Sequence, residues 1–467
     1  MSFKDAVINQ EARTQNNMKA YASTTNACVD LFYKIGASRG QDIIPQFVAA
    51  KIENSDLAGR IALWARDIRG GAGERQLFRD ILAYLEKYEP DMFFRFVSKV
   101  PELGRWDDLL INFTSYNARE YVYSFIKKAI EEGNGLAAKW MPRKGVKAVE
   151  LRRAWGMTPK QYRKFLVNNT CVVEQLMCAK EWDKINFSHV PSLAASRYKA
   201  AFYRNAEARF TQYVEDLIAG KEGVKVNAGA VYPYDILKGI DLSYMNKSKA
   251  EIDHAIEQWK ALPNYLGDAK VLPMCDTSGS MFVSVGSVHA IDICISLGLY
   301  CAEKNTGVFK DLILTFSESP CLEHVKGNVV QKALQLSTAA WGMNTDLHKA
   351  FDLVLRTAVN GKVKPEDMPA TLLIFSDMQF DCCVRFDDSA IEMIRRKYNN
   401  AGYEMPQVVF WNLNAYSNVP VKYNEQGVAL VSGFSPSILK AILSNKLERF
   451  TPETVMLEAV MSDRYNF

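Results

Sequence analysis

Four apolar runs in the second half of the chain constrain its fold most tightly. Residues 271–275, 312–316, 372–375 and 408–413 are almost continuously apolar. A strand with one wet face alternates apolar and polar residues, whereas a strand buried on both faces of a parallel sheet does not. Between the first two runs, Ile291, Cys294, Ile295, Leu299 and Ala302 fall on one helical face. A further strand is predicted over 428–431, a helix over 436–443 and a closing helix over 452–457. Strands alternating with helices predict a doubly wound, Rossmann-like α/β domain.

The first half reads differently. Leu57, Ile61 and Trp64 recur at helical spacing after a cap at Asn54 or Ser55. Leu77, Phe78, Ile81, Leu82 and Leu85 form a second stripe, and Phe125, Ile126, Ala129 and Ile130 a third. Helices of a few turns joined by short breaks predict antiparallel pairs, a HEAT-like helical repeat, although no strict sequence repeat is present. The change of character near Leu262-Pro263-Asn264 predicts a helical domain over 1–265 and an α/β domain over 266–467.

Composition excludes several classes. Hydrophobic residues make up 48% and charged residues 24% of the chain, ordinary for a globular protein. A net charge of +4 selects no partner by itself. Nine cysteines without a C-x-x-C pair fit reduced thiols better than a disulfide framework. Residues 1–15 lack the apolar core of a signal peptide, and no run reaches the length of a membrane helix. The expected location is cytoplasmic.

The first apolar run ends in Asp276-Thr277-Ser278-Gly279-Ser280. One carboxylate and two hydroxyls in one tight loop are hard oxygen donors of the kind a divalent cation takes. Thr345, in Gly342-Met343-Asn344-Thr345-Asp346, precedes a predicted helix, and Asp377 ends the run at 371–376. Loops that follow parallel strands can meet at the carboxyl edge of the sheet. Caps and turns use the same residue types. Gly70-Gly71-Ala72-Gly73-Glu74-Arg75 lacks the Lys-Ser/Thr end of a phosphate-binding P-loop. Histidines 189, 254, 289, 324 and 348 show no ligand spacing, and no nucleophile–base arrangement stands out.

Asp276, Ser278, Ser280, Thr345 and Asp377, in this order, resemble the metal-ion-dependent adhesion site of von Willebrand factor A (vWA) domains. The resemblance implies a bound divalent cation, Mg²⁺ first, with Mn²⁺ and Ca²⁺ as alternatives. It also implies an open position for an acidic side chain of a protein partner. In the helical half, 64–75 and Glu102-Leu103-Gly104-Arg105-Trp106-Asp107-Asp108-Leu109, ahead of a vWA-like domain, resemble the TROVE module of Ro autoantigen-type proteins. Together with Leu136-Ala137-Ala138-Lys139-Trp140-Met141-Pro142 they are more similar still to an uncharacterised viral and plant family of the same layout. The Ro resemblance implies a ring of helical repeats that binds small noncoding RNA and single-stranded ends of misfolded RNA.

The residues supply a surface for such a ligand. Lys139, Arg143, Lys144, Lys147, Arg152, Arg153, Lys160, Arg163 and Lys164 lie close together, opposed only by Glu150 and interleaved with Trp140, Trp155, Tyr162 and Phe165. Arg197, Lys199, Arg204 and Arg209 follow, with Tyr198, Phe202 and Tyr203. Basic side chains track phosphates and aromatic faces stack unpaired bases. The competing reading is a solvated helix face with its aromatics turned to the core. Arg66, Asp67, Glu74 and Arg75 are expected to form ion pairs between helices around a tight glycine turn. The leading expectation is an RNA-binding, non-enzymatic protein with a metal-dependent vWA domain. A protein-only scaffold, with an assembly or virion role, is the alternative. A metal-dependent phosphoesterase ranks third, because Asp346 and Asp381 are not fixed near the ion by anything in the sequence.

Overall fold

The computed structural model describes residues 11–14, 19–238, 248–286, 288–316, 319–337, 346–380, 390–414, 418–444, 447 and 449–467. The first half is helical. Its longer helices are α1 (Ala27–Ile35), α2 (Ile44–Glu53), α3 (Ser55–Arg66), α4 (Gln76–Tyr88), α5 (Pro90–Val97), α6 (Tyr116–Glu131), α7 (Gly135–Trp140), α8 (Gly145–Ala154), α9 (Pro159–Asn168), α10 (Ser192–Asn205), α11 (Glu207–Ile218) and α12 (Lys249–Lys260). The predicted stripes are the buried faces. Ile61 and Trp64 on α3, all five stripe residues on α4, and Ile126 and Ile130 on α6 are core. Asn54 is the cap of α3, its side chain accepting from Leu57 N–H at 3.0 Å.

A short hairpin, β1 (Glu11–Arg13) and β2 (Lys19–Tyr21), precedes the helices. The second half carries β3 (Val271–Asp276), the small pair β4 (Ser284–Val285) and β5 (Val288–His289), then β6 (Leu312–Phe316), β7 (Cys321–His324), β8 (Thr371–Ser376), β9 (Gln407–Asn412) and β10 (Val428–Ser432). Six strands form one sheet in the order β10-β9-β8-β3-β6-β7, parallel throughout except for the edge strand β7. Helices α13 (Ala290–Lys304), α14 (Val329–Ser337), α15 (Leu347–Gly361), α16 (Ala390–Asn400) and α17 (Pro452–Val460) alternate with these strands. The predicted fold class is therefore correct: a helical half followed by a doubly wound, Rossmann-like domain of vWA layout. Strand β3 sends the chain first to β6 on one side, and the chain then returns to β8 on the other. The switch point of the sheet lies between β3 and β8.

One expectation changes in detail. The predicted single apolar face of α13 is a helix buried nearly all round, with Ile293, Ser296, Leu297 and Tyr300 covered as well. Most of the buried apolar residues, from Cys28 to Tyr465, form one continuous core across both halves. A second, smaller core holds Phe187, Phe202, Phe210 and Tyr213 between α10, α11 and α12. Among the described residues no helix is long and apolar enough to cross a membrane, and Cys28, Cys171, Cys178, Cys275, Cys294, Cys301 and Cys321 are free thiols.

Candidate functional site

Strand β3 ends in Asp276 and β8 ends one residue before Asp377, so both carboxylates emerge at the switch point. Asp276 is fully buried and Asp377 nearly so. The loop after β3 folds back on its own carboxylate. Ser278 N–H donates to Asp276 Oδ1 at 2.9 Å, and the Ser278 and Ser280 hydroxyls lie 3.0 Å apart. Ser278 is buried and Ser280 is exposed, so the hydroxyl pair leads from the carboxylates outward. Four of the five predicted residues are thus assembled. Thr345 lies outside the described residues.

Ser376 is a residue that sequence reasoning passed over. Its hydroxyl donates to Asp276 Oδ2 at 2.6 Å and accepts from Met378 N–H at 2.9 Å. It ties the two loops together and holds Met378 at φ +64, an uncommon left-handed conformation for a non-glycine residue. The only available signal was a hydroxyl closing an otherwise apolar strand.

The electrostatics are unfavourable without a counter-charge. Burial raises the pKa of Asp276, and the neighbouring Asp377 raises it further. Burial likewise raises Asp377, with the Gln379 N–H and the Ser280 hydroxyl opposing the rise. Asp377 Oδ2 is buried without a hydrogen-bond partner. A buried acceptor in that state costs about 1–3 kcal/mol. Two carboxylates and two hydroxyls are a hard-oxygen donor set that suits Mg²⁺, Mn²⁺ or Ca²⁺. Among the described residues no cluster of three or more His, Cys, Asp or Glu side chains that could hold a metal exists, so a cation here would need the hydroxyls as ligands.

The neighbouring candidates have other roles. Asp346 caps α15, accepting from Lys349 N–H at 3.0 Å, and Asp381 lies outside the described residues. His348 is an ordinary helix residue, 3.5 Å from Asp352 and bonded to Lys397.

In the helical half the charges and the aromatics separate. Arg143, Lys144, Arg153, Lys160, Arg163, Lys164 and Arg197 are exposed, and Arg152 is half-buried. Lys139 pairs with Glu174 at 2.8 Å and Lys147 with Glu150 at 3.2 Å. Trp155 and Tyr162 face the core, where Trp155 Nε1 donates to the Tyr123 carbonyl and the Tyr162 hydroxyl to the Pro142 carbonyl. These two aromatics are therefore not an exposed stacking face, whereas Trp140 and Phe165 are half-buried. Lys199 is also buried, its Nζ donating to the Ser196 carbonyl at 3.0 Å, because α10 packs that face against α12. Arg209 lies over Phe187 and donates to the Trp182 and Ile185 carbonyls.

The expected ion pairs of 64–75 form, with one exception. Arg66 pairs with Asp108 at 2.6 Å, both fully buried, and Glu74 pairs with Arg39 at 2.8 Å. Asp67 accepts from Arg464 and from the Tyr465 hydroxyl. Burial alone would raise the Asp67 pKa, but Arg464, the Arg69 N–H and Tyr465 outweigh it and hold the carboxylate ionised. Arg75 forms no ion pair among the described residues; it begins α4 and points to solvent instead.

Fold and site together define a class: a helical protein joined to a doubly wound domain of vWA layout, with a D-x-S-x-S loop and a second Asp at the switch point. Residues 14–102 and 116–271, more than half of the chain, match the family described as Domain of unknown function (DUF2828), and residues 270–464 match Domain of unknown function (DUF7788). The chain belongs to the DUF2828 family. It is 32% identical over 510 residues to uncharacterized protein L728 of Acanthamoeba polyphaga mimivirus, covering 96% of this chain and 86% of that one. That match bears out the resemblance to viral proteins. A crystal structure of the Deinococcus radiodurans Ro (RSR) protein aligns over 94% of this chain and all of that one, at 13% identity and a TM-score of 0.38.

Proposed function

We propose that this is a Ro-like RNA-binding protein, a binding protein rather than an enzyme. Its helical half takes small noncoding or misfolded single-stranded RNA, and its vWA domain uses Mg²⁺ to recognise a protein partner. The convergence of the buried Asp276, Ser278 and Asp377 with the exposed Ser280, around carboxylates that lack a counter-charge, supports the metal half. The cation would supply charge neutralisation and an open position for an acidic side chain of the partner. Asp276 and Asp377 would hold it directly or through water, with the hydroxyls of Ser278, Ser280 and Thr345. For the RNA half, the support is the TROVE resemblance and the outward-facing charges of α8 and α9. The test is crosslinking to RNA in cells, followed by sequencing, beside a variant with Arg143, Lys144, Arg153 and Arg163 changed to Glu. Discrete small RNAs or 3′ ends that vanish in the variant are expected. No RNA above background would move the reading to a protein-only scaffold. One observation favours that second reading: Trp155 and Tyr162 are turned inward, away from any base.

A further inference from the structure

Arg66 and Arg79, on either side of 70–75, meet the turn 102–109 and Trp140 through their side chains. Arg66 and Arg79 both pair with Asp108, and Arg79 and Arg105 both pair with Asp107. The Arg105 guanidinium also lies 3.5 Å over the Trp140 ring. Arg75 sits one helical turn before Arg79, whose N–H donates to the Arg75 carbonyl at 3.0 Å, so the two side chains share a face. Arg66, Arg75, Arg79 and Arg105 thus outnumber Asp107 and Asp108. Glu74 also attracts Arg66 but is paired with Arg39. Positive charge is left over, and Arg75 carries it at the surface.

Two independent observations point the same way. Helix α4 runs for 13 residues from Gln76 with no side chain capping its N-terminal N–H groups and no acid in its first turn; Asp80, one turn in, accepts from the Gln76 amide. Arg66 is fully buried beside this group, and its Nη1 has no hydrogen-bond partner. Partial covering by its neighbours and the like charge of Arg105 depress the Arg75 pKa, with Asp108 opposing, as expected where positive charge is in excess.

We propose that Arg75, Arg105 and the first turn of α4 form a phosphate site that takes a backbone phosphodiester of single-stranded RNA; this rests on the RNA reading above. The open Arg75 fork matches phosphate oxygens two at a time, Arg105, whose Nε and Nη2 are taken by Asp107, adds its remaining Nη1, and open helix N-termini bind anions. Trp140 and Asp107 already hold Arg105 in place, so little side-chain freedom is lost on binding. From Trp140 the path continues to Lys139 and to Arg143, whose Nη1 donates to the Lys139 carbonyl, and so reaches the exposed charges of α8 and α9.

Free inorganic phosphate shares this chemistry, so the test has two arms in the full chain. Binding of a labelled oligouridylate is followed by anisotropy across salt concentrations, for the native protein and Arg75→Gln. Thermal midpoints of both are measured in inorganic phosphate and in chloride at matched ionic strength. Arg75→Gln should weaken oligonucleotide binding about tenfold or more and flatten the log–log salt slope by about 0.7. Arg75→Lys should restore the slope and not the affinity, because it keeps the charge and loses the fork. If the native protein binds RNA and Arg75→Gln binds it equally well with the same slope, the site is overturned and the RNA reading stands. If the native protein binds no RNA even at low salt, the RNA reading fails. A midpoint rise in phosphate that Arg75→Gln abolishes would then keep the site for free phosphate, and no such rise would overturn it. An Arg75→Gln midpoint in chloride equal to the native one establishes that folding is intact, and Arg75→Lys serves if it is not.

Discussion

Asp377 Oδ2 is a buried acceptor with no donor, next to a second buried carboxylate. Removing the charge while keeping the shape should therefore leave the metal-free protein as stable, or more stable by about 1 kcal/mol. We expect Mg²⁺ to raise the thermal midpoint of the native protein and not that of Asp377→Asn, whose midpoint in chelator should not fall. A variant that keeps the Mg²⁺ response would remove Asp377 from the cation set. His254 offers a second measurement. It is buried against Phe210 and Tyr213, its Nδ1 lacks a partner, and burial, then the neighbouring Lys199, lowers its pKa to about 3. A depressed histidine stays neutral when folded, while the unfolded chain takes up a proton below about pH 6.5. Its contribution is thus complete above that pH and is lost as pH falls toward the folded value, at up to about 1.4 kcal/mol per unit. His254→Phe should flatten the loss of stability between about pH 6 and 4, measured by urea denaturation. An unchanged slope would mean that other groups dominate. At this scale the D-x-S-x-S loop and Asp377 were legible because loop chemistry is local. Ser376 was not, since a strand-end hydroxyl looks the same whether it caps a turn or ties a neighbouring strand's carboxylate to its own loop.

Elements show why the two conspicuous motifs of the helical half resemble a functional signature. Arg66 ends α3, and Asp108 lies in the short 3₁₀ turn Trp106–Leu109; Gly104 lets them meet. A Cβ at Gly104 would fall 2.5 Å from Arg66 Nε and 2.7 Å from Asp108 Oδ2. Gly104→Ala should push this fully buried pair apart and cost about 3–5 kcal/mol, the usual penalty for stranding a buried charge. A loss under about 1 kcal/mol, read from chemical denaturation, would show that the loop can yield. Helix positions were legible wherever an apolar stripe was strong, as on α3 and α4. The faces of α8 and α9 were harder to assign. Only Ala148 and Leu151 are buried on α8, so its charges and neighbouring aromatics could not be sorted into inside and outside without the packing of Trp155 and Tyr162 against α6 and the 137–142 turn.

For the whole molecule, the helices up to α12 and the sheet from β3 onward differ in architecture, yet the packing runs across them. Helix α1 lies on β10, where Ser432 Oγ donates to the Phe32 carbonyl and accepts from Gly36 N–H. A Cβ at Gly36 would fall 2.7 Å from the Ser432 backbone. Tyr21 exchanges two backbone hydrogen bonds with Val419, and Asp67 holds Arg464 and Tyr465 from nearly 400 residues away in sequence. None of these contacts has a local signature, because each half supplies only one partner. Their consequence is that the α/β domain depends on the first helices to cover β10 and α17. Residues 266–467 expressed alone should expose that apolar surface and aggregate, or lack a cooperative thermal transition, whereas the full chain should lose the sheet and the α1–α5 layer together. Asp67→Ala in the full chain is the milder probe: it removes the acceptor of the buried Tyr465 hydroxyl and one of the two acids paired with the partly exposed Arg464, and should cost about 1–3 kcal/mol. Its calorimetric trace should keep one transition for these two parts, at a lower midpoint. A soluble 266–467 fragment that melts cooperatively and still responds to Mg²⁺ would show instead that the halves are independent and that the shared core is only a docking surface.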